Sequence, residues 1–140
     1  MGSADLVPYE EIEHTADLAL RVRGGTLEEL FANAARGMFY LMHGDRQPQI
    51  AATEHAIQLE SLDMESLLVD WLNELLYLAD VHKEHFDRFA LTELQPTRLR
   101  ANVGGSQAST LKKVIKAATF HGLSIEHNPS GYTVEIIFDV

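Results

Sequence analysis

Apolar and polar residues alternate over residues 18–23: Leu18, Leu20 and Val22 share one side, Ala19, Arg21 and Arg23 the other. That two-residue period is the signature of a strand. Gly24-Gly25 ends it, and Thr26 followed by Glu29 has capping-box spacing, which predicts a helix start. Leu27, Leu30, Phe31, Ala34, Ala35, Met38, Leu41 and Met42 then recur at helical spacing until Gly44-Asp45 and Pro48. Residues 56–62 read as a second strand, with Ile57, Leu59 and Ser61 on one face. Asp63 is a natural N-cap for a second helix, whose stripe is Leu67, Leu68, Trp71, Leu72, Leu75, Leu76 and Ala79. Extended segments are predicted over residues 86–94, 98–103, 111–121 and 132–138. A Gly104-Gly105-Ser106 loop separates the second of these from the third, and Asn128-Pro129-Ser130-Gly131 supplies a hairpin turn before the last.

Two main helices and about six or seven strands predict a single two-layer α+β domain. The late run of strands favours a largely antiparallel or mixed sheet, with both helices packed on one face. No internal repeat or low-complexity tract interrupts the chain. At 140 residues it is long enough for one core but not two.

Composition narrows the function classes. There is no cysteine, which excludes disulfide scaffolding, thiolate zinc sites and cysteine nucleophiles. No apolar run reaches the roughly 18 residues a spanning helix requires. The N-terminal residues lack the basic start and apolar stretch of a signal peptide, so the cytoplasm is the expected compartment. Residues 1–8 read as a tail, with Gly2-Ser3 resembling an expression remnant, ahead of a domain over 9–140. Eleven basic against 21 acidic residues give a net charge of −10. Such a chain is repelled by a phosphate backbone, so strong direct RNA binding is disfavoured and a role in RNA chemistry would run through a protein partner.

Candidate chemistry concentrates at the two ends. Residues 10–17, Glu-Glu-Ile-Glu-His-Thr-Ala-Asp, read on composition as an acidic loop entering a strand; the sharper reading makes Asp17 a ligand or base with His14 beside it. At the other end a strand of high propensity stops at Asp139-Val140. There a side-chain carboxylate and the terminal carboxylate are crowded, and like charges repel without a cation between them. With a third acid these would make an oxygen-rich site for a hard cation. Composition alone favours solvated acids in both places. Lys112, Lys113 and Lys116 form the one basic cluster, with Lys116 expected on the strand face opposite Ile115. His82 and His85 are a weak metal signal, the paired glycines match no phosphate-binding loop, and Ser66 and Ser109 lack the context of a nucleophile.

Several motifs in order carry a resemblance. His14-Thr15-Ala16-Asp17 followed by Gly25-Thr26-Leu27-Glu28-Glu29-Leu30-Phe31 resembles the opening of archease proteins. Residues 67–77, Leu-Leu-Val-Asp-Trp-Leu-Asn-Glu-Leu-Leu-Tyr, resemble their central helix. Ile115-Lys116-Ala117-Ala118-Thr119-Phe120-His121 is similar to their late motif, and Phe138-Asp139-Val140 to their ending. Ala118 and Phe120 stand where the family pattern has a branched residue and often tyrosine, and Val140 stands for the usual isoleucine. The resemblance runs from Tyr9 onward. It implies a protein cofactor, not itself an enzyme, for the GTP-dependent RNA ligase of tRNA splicing and RNA repair. That ligase joins 3′-phosphate or cyclic-phosphate ends to 5′-hydroxyls through a histidine guanylate and manganese. The cofactor promotes ligase guanylylation and multiple turnover. The implied metal ligands are Asp17, Asp139 and the terminal carboxylate of Val140, with calcium favoured and magnesium or manganese as alternatives. Lys116 matches a position that acts in activation, and His14 is added as second-layer support on proximity. The residues leave two other readings open: a chaperone-like modulator of other RNA-processing or RNA-modifying enzymes, and a metal-dependent hydrolase. Against the latter stands the lack of a convincing general base, oxyanion donor set or nucleotide loop.

Overall fold

The computed structural model describes residues 7–12, 17–44, 53–108 and 111–140. Its elements in chain order are β1 (Tyr9–Ile12), β2 (Leu18–Gly24), α1 (Leu27–His43), β3 (Thr53–Glu60), α2 (Met64–His82), β4 (Glu84–Gln95), β5 (Arg98–Gln107), β6 (Ala117–Ala118), β7 (Glu126–Asn128) and β8 (Gly131–Asp139). The expected α+β class with antiparallel pairing and two main helices is what forms. The described strands number eight, and they divide between two sheets rather than filling one. The larger sheet runs β1-β2-β8-β6, with β7 also on β8; the smaller runs β3-β5-β4. Every strand pairing is antiparallel. Helix α1 packs on β2 of one sheet and β4 of the other, so the helices join the two sheets.

Both helix starts follow their caps. Thr26 Oγ1 accepts from the Glu29 N–H at 3.1 Å, while Glu29 Oε1 accepts from the Gly25 N–H at 2.7 Å. Asp63 accepts from the Ser66 N–H at 2.7 Å, which holds its carboxyl below its ordinary range. Gly44 ends α1, its N–H bonding the Tyr40 carbonyl. The predicted stripes are the buried ones: Leu30, Phe31, Ala34, Ala35 and Met38 on α1, and Leu67, Leu68, Trp71, Leu72 and Leu75 on α2, are fully enclosed. Burying each large side chain contributes about 1.5–3 kcal/mol. The Trp71 indole N–H donates to the Phe31 carbonyl at 3.0 Å, fastening one helix to the other.

Two sequence expectations need correction. Residues 10–12, placed in an acidic loop, form β1 on the edge of the larger sheet. Arg21 and Arg23 on the neighbouring strand pair with Glu10 at 3.3 and 3.1 Å, so a charged tripeptide is tolerated in a strand. The Arg23 hydrogen bond, helped by Arg21, outweighs the opposing effect of burial and holds the Glu10 carboxyl below its ordinary value. Gly104-Gly105-Ser106, expected as a loop, continues β5. Here glycine serves close approach: a Cβ on Gly105 would lie 2.7 Å from the Phe86 Cα, where β4 carries a register shift between Phe86 and Arg88. The hairpin turn before the last strand is as expected, with Gly131 at φ 128°, which an L side chain rarely adopts.

Candidate functional site

Strand β8 is the central strand of the larger sheet and brings the two ends of the chain together. Its pairing with β2 runs from Gly24–Tyr132 to Leu18–Phe138. Leu18 and Phe138 are both buried against the helices. The ladder ends there: Asp17 immediately precedes β2 and Asp139 is the last residue of β8, so both exposed carboxylates lie at the same end of the sheet. Further back along the ladder Arg21 Nη2 meets Glu135 Oε2 at 2.8 Å.

The other edge of β8 is held by the segment carrying Lys116. Ala117 pairs with Asp139 and Ala118 with Phe138. The Lys116 N–H donates to the Asp139 carbonyl at 2.8 Å. Thr119 bonds the Ile137 carbonyl twice, through its N–H at 3.0 Å and its hydroxyl at 2.8 Å. Ile115 and Ala118 are buried, which pins the segment at both ends. The regular strand is only Ala117–Ala118, shorter than the extended run expected over 111–121, and Lys116 lies just outside it. Its exposure opposite buried Ile115 is as expected. By the same register Val140, 45% exposed, follows Asp139 past the last pair, next to Lys116.

Sequence reasoning missed Asn73. Its side-chain amide sits on α2 and mimics a neighbouring strand: Oδ1 accepts from the Ala118 N–H at 2.8 Å and Nδ2 donates to the Ala118 carbonyl at 3.2 Å. The amide caps the edge of the sheet where Lys116 and Asp139 meet. The available signal was an amide in the middle of the apolar run Trp71-Leu72-Asn73-Glu74-Leu75, since a half-buried amide requires partners.

His14, with Glu13, Thr15 and Ala16, lies outside the described residues. Among the described residues no group of three or more His, Asp or Glu side chains is placed to hold a metal ion. Asp17 and Asp139, at the same end of the sheet, offer oxygen donors only. An oxygen-only set fits a hard cation and disfavours zinc or copper. His82 and His85 go to different neighbours: His82 lies tilted against His55 with ring centroids 4.6 Å apart, and His85 meets His43 edge-on at 4.4 Å.

A second polar cluster lies at the ends of both helices. Glu84, buried at the start of β4, accepts from the Thr53 hydroxyl and lies 2.7 Å from His55 Nε2. Burial pushes its carboxyl up, but the hydrogen bonds of Thr53 and His55 and the charges of His55 and His82 outweigh it, and the net shift is downward.

The sequence profile of the archease protein family matches residues 9–140. The chain belongs to the archease family. Among curated relatives, the archease of Methanosarcina mazei is 36% identical, covering 94% of this chain and 95% of that protein. That of Saccharolobus islandicus is 35% identical over 94% and 98%. The solution structure of Methanobacterium thermoautotrophicum protein 1598 superposes with a TM-score of 0.77 at 30% identity, covering 95% of this chain and 99% of that one. A crystal structure from Thermotoga maritima, described as an archease and possible chaperone, shares the fold with a TM-score of 0.62 at 22% identity, over 94% and 96%. The segment 115–121 that carries Lys116 pairs along the end of β8 at Phe138 and Asp139, and Asn73 of α2 bonds its Ala118.

Proposed function

We propose that this archease family member is an accessory protein, not a catalyst, that activates a GTP-dependent RNA ligase. In this reading it promotes ligase guanylylation and multiple turnover during tRNA splicing or RNA repair. The reading is supported by the β2–β8 pairing, whose register ends at Leu18–Phe138 with Asp17 and Asp139 the next residues at that end, and by the Lys116 N–H, which donates to the Asp139 carbonyl. Asp17, Asp139 and the main-chain carboxylate of Val140 would hold one divalent ion, calcium in the first instance, with magnesium or manganese as alternatives. A divalent cation supplies charge neutralisation at phosphate groups during nucleotidyl transfer. The chain's own part is positional. The rigid ladder fixes the two aspartates, and the Asn73 and Thr119 bonds fix Lys116 so that its ammonium is presented beside them. A net charge of −10 supports a protein rather than an RNA as the contact.

The test is ligase guanylylation with substoichiometric amounts of this protein. Asp17→Ala and Asp139→Ala each abolish stimulation while leaving the circular-dichroism spectrum and melting temperature near those of the parent. Full stimulation by both variants would sink the carboxylate-site reading. A chaperone-like modulator of other RNA-processing or RNA-modifying enzymes is the second reading, favoured by the description of the Thermotoga maritima protein as a possible chaperone. It predicts effects on such enzymes that survive both substitutions.

A further inference from the structure

A cavity of about 710 Å³ opens between α2 and the segment leading into β6, and it reaches the carboxylate end through Lys116. Its floor is aliphatic: Met42, Leu76 and Ile115 are buried in the core beneath it. Its rim is apolar too, and unusually exposed. Tyr77, Leu111 and Val114, at 61%, 49% and 59% exposure, all line this one depression. Large apolar side chains that cluster at the surface of a monomer, in a ring around a concavity, mark a contact site.

The charge around the rim is the reverse of the molecule's. The chain has four lysines, and all four are here: Lys83 and Lys116 line the cavity, and Lys112 and Lys113 flank Leu111 and Val114. The six arginines among the described residues do not line the cavity, and several are committed to carboxylates across strands. Two acids also line the cavity, but both are engaged. Asp80 lies 3.4 Å from Lys83, and Glu84 is tied to Thr53 and His55. Among the described residues Lys112 and Lys116 make no ion pair, and Lys113 reaches Glu11 only at 3.9 Å.

We propose that this groove is the surface that grips the ligase, taking a protein segment that puts bulky aliphatic side chains on the floor and carboxylates against the lysine rim. The proposal rests on the activator reading above and separates two jobs within it: the groove holds the partner, and the aspartate pair acts on it. An RNA strand fits less well. Single strands are held by stacked bases on a row of aromatic platforms along a basic track, whereas this floor is aliphatic and the lining has only two rings among its described residues, His43 and Tyr77. An aliphatic floor with a charged rim is the anatomy of a protein–protein contact. Lys116 is the physical continuity between the two jobs, its side chain on the groove and its backbone on Asp139.

The experiment measures ligase affinity and maximal guanylylation separately, using the full chain. Val114→Glu and Leu111→Glu change exposed positions, so folding should survive; the expected result is a Kd raised by about tenfold or more. Stimulation should return to the parent maximum once the variant is saturating. Lys112→Glu with Lys113→Glu should weaken binding and flatten its dependence on salt. Asp139→Ala should do the opposite, keeping the parent Kd and losing stimulation. A parent Kd for both groove variants overturns the groove while leaving the activator reading intact. Asp139→Ala that binds and stimulates normally overturns the activator mechanism instead. A parent protein that neither binds nor stimulates the ligase overturns both. If the groove variants convert a dimer to a monomer, or release a bound RNA oligonucleotide, with ligase affinity unchanged, the face serves another occupant and the proposal fails.

Discussion

The two polar clusters of this molecule handle carboxylates in opposite ways. At the helix ends, Glu84 is buried, and its oxygens are met by Thr53 and His55, with the His82 ring tilted against that of His55. At the end of the larger sheet, Asp17 and Asp139 are both exposed, with the Lys116 backbone bonded to Asp139. A buried carboxylate with protein partners is a structural group, because leaving it unpaired would cost more than the fold can spare. Exposed carboxylates cost little, because water solvates them. The first arrangement is met from within the fold; the second lies at the surface. The groove beside Lys116 extends the same contrast, since its lysines and exposed apolar side chains also look outward.

Three measurements sharpen this comparison. The largest effect on stability should come from Glu84→Ala, which empties a buried position and takes the partner from half-buried His55 and from Thr53, and should cost about 3 kcal/mol in denaturant unfolding. A loss below about 0.5 kcal/mol would show that the buried cluster is not structural and would erase the distinction. Asn73→Ala should come next, at about 2 kcal/mol, because the Ala118 N–H and carbonyl both lose their partner. Unlike Glu84→Ala it should also lower ligase stimulation, by freeing the strand that carries Lys116 while Asp17 and Asp139 stay in place. Stimulation unchanged in a folded Asn73→Ala protein would show that the clamp does not position the site. The smallest effect is an acid limb. The Glu84 carboxyl is lowered from its ordinary 4.5, so it binds its proton less readily in the folded chain than in the unfolded one. Its contribution is full above pH 4.5 and declines as the pH falls through the lower folded value. Chemical denaturation of the parent and of Glu84→Gln across that range should therefore converge as the solution is acidified. Parallel curves would show that Glu84 is not the group responsible.

Much of the framework was legible from local chemistry. Thr26 and Asp63 announced their helices, the 3.6-residue stripes named the buried faces, and Asn128-Pro129-Ser130-Gly131 gave the last hairpin. The misreadings share a cause. Gly104-Gly105 reads as a turn by composition, yet it continues β5 because the Phe86 backbone crosses too closely for any side chain. Glu10 and Glu11 read as loop, yet they form an edge strand because arginines on the next strand meet Glu10. Residues 111–121 have strand character along their length, but only Ala117–Ala118 finds a ladder on β8.

The sequence by itself determined which residues face inward, where both helices begin, the acidic charge balance and, through its motifs, the family. It could not determine which strand lies beside which. Alternation with a period of two assigns a side chain to a face and says nothing about its neighbour across the sheet. The pairing of β2 with β8, which brings Asp17 and Asp139 to the same end of the sheet, is set by how the two sheets close around α1 and α2. So is the seating of Asn73 on Ala118, and so is the gathering of four lysines around one apolar groove. These are long-range outcomes of packing, and only the tertiary structure decides them.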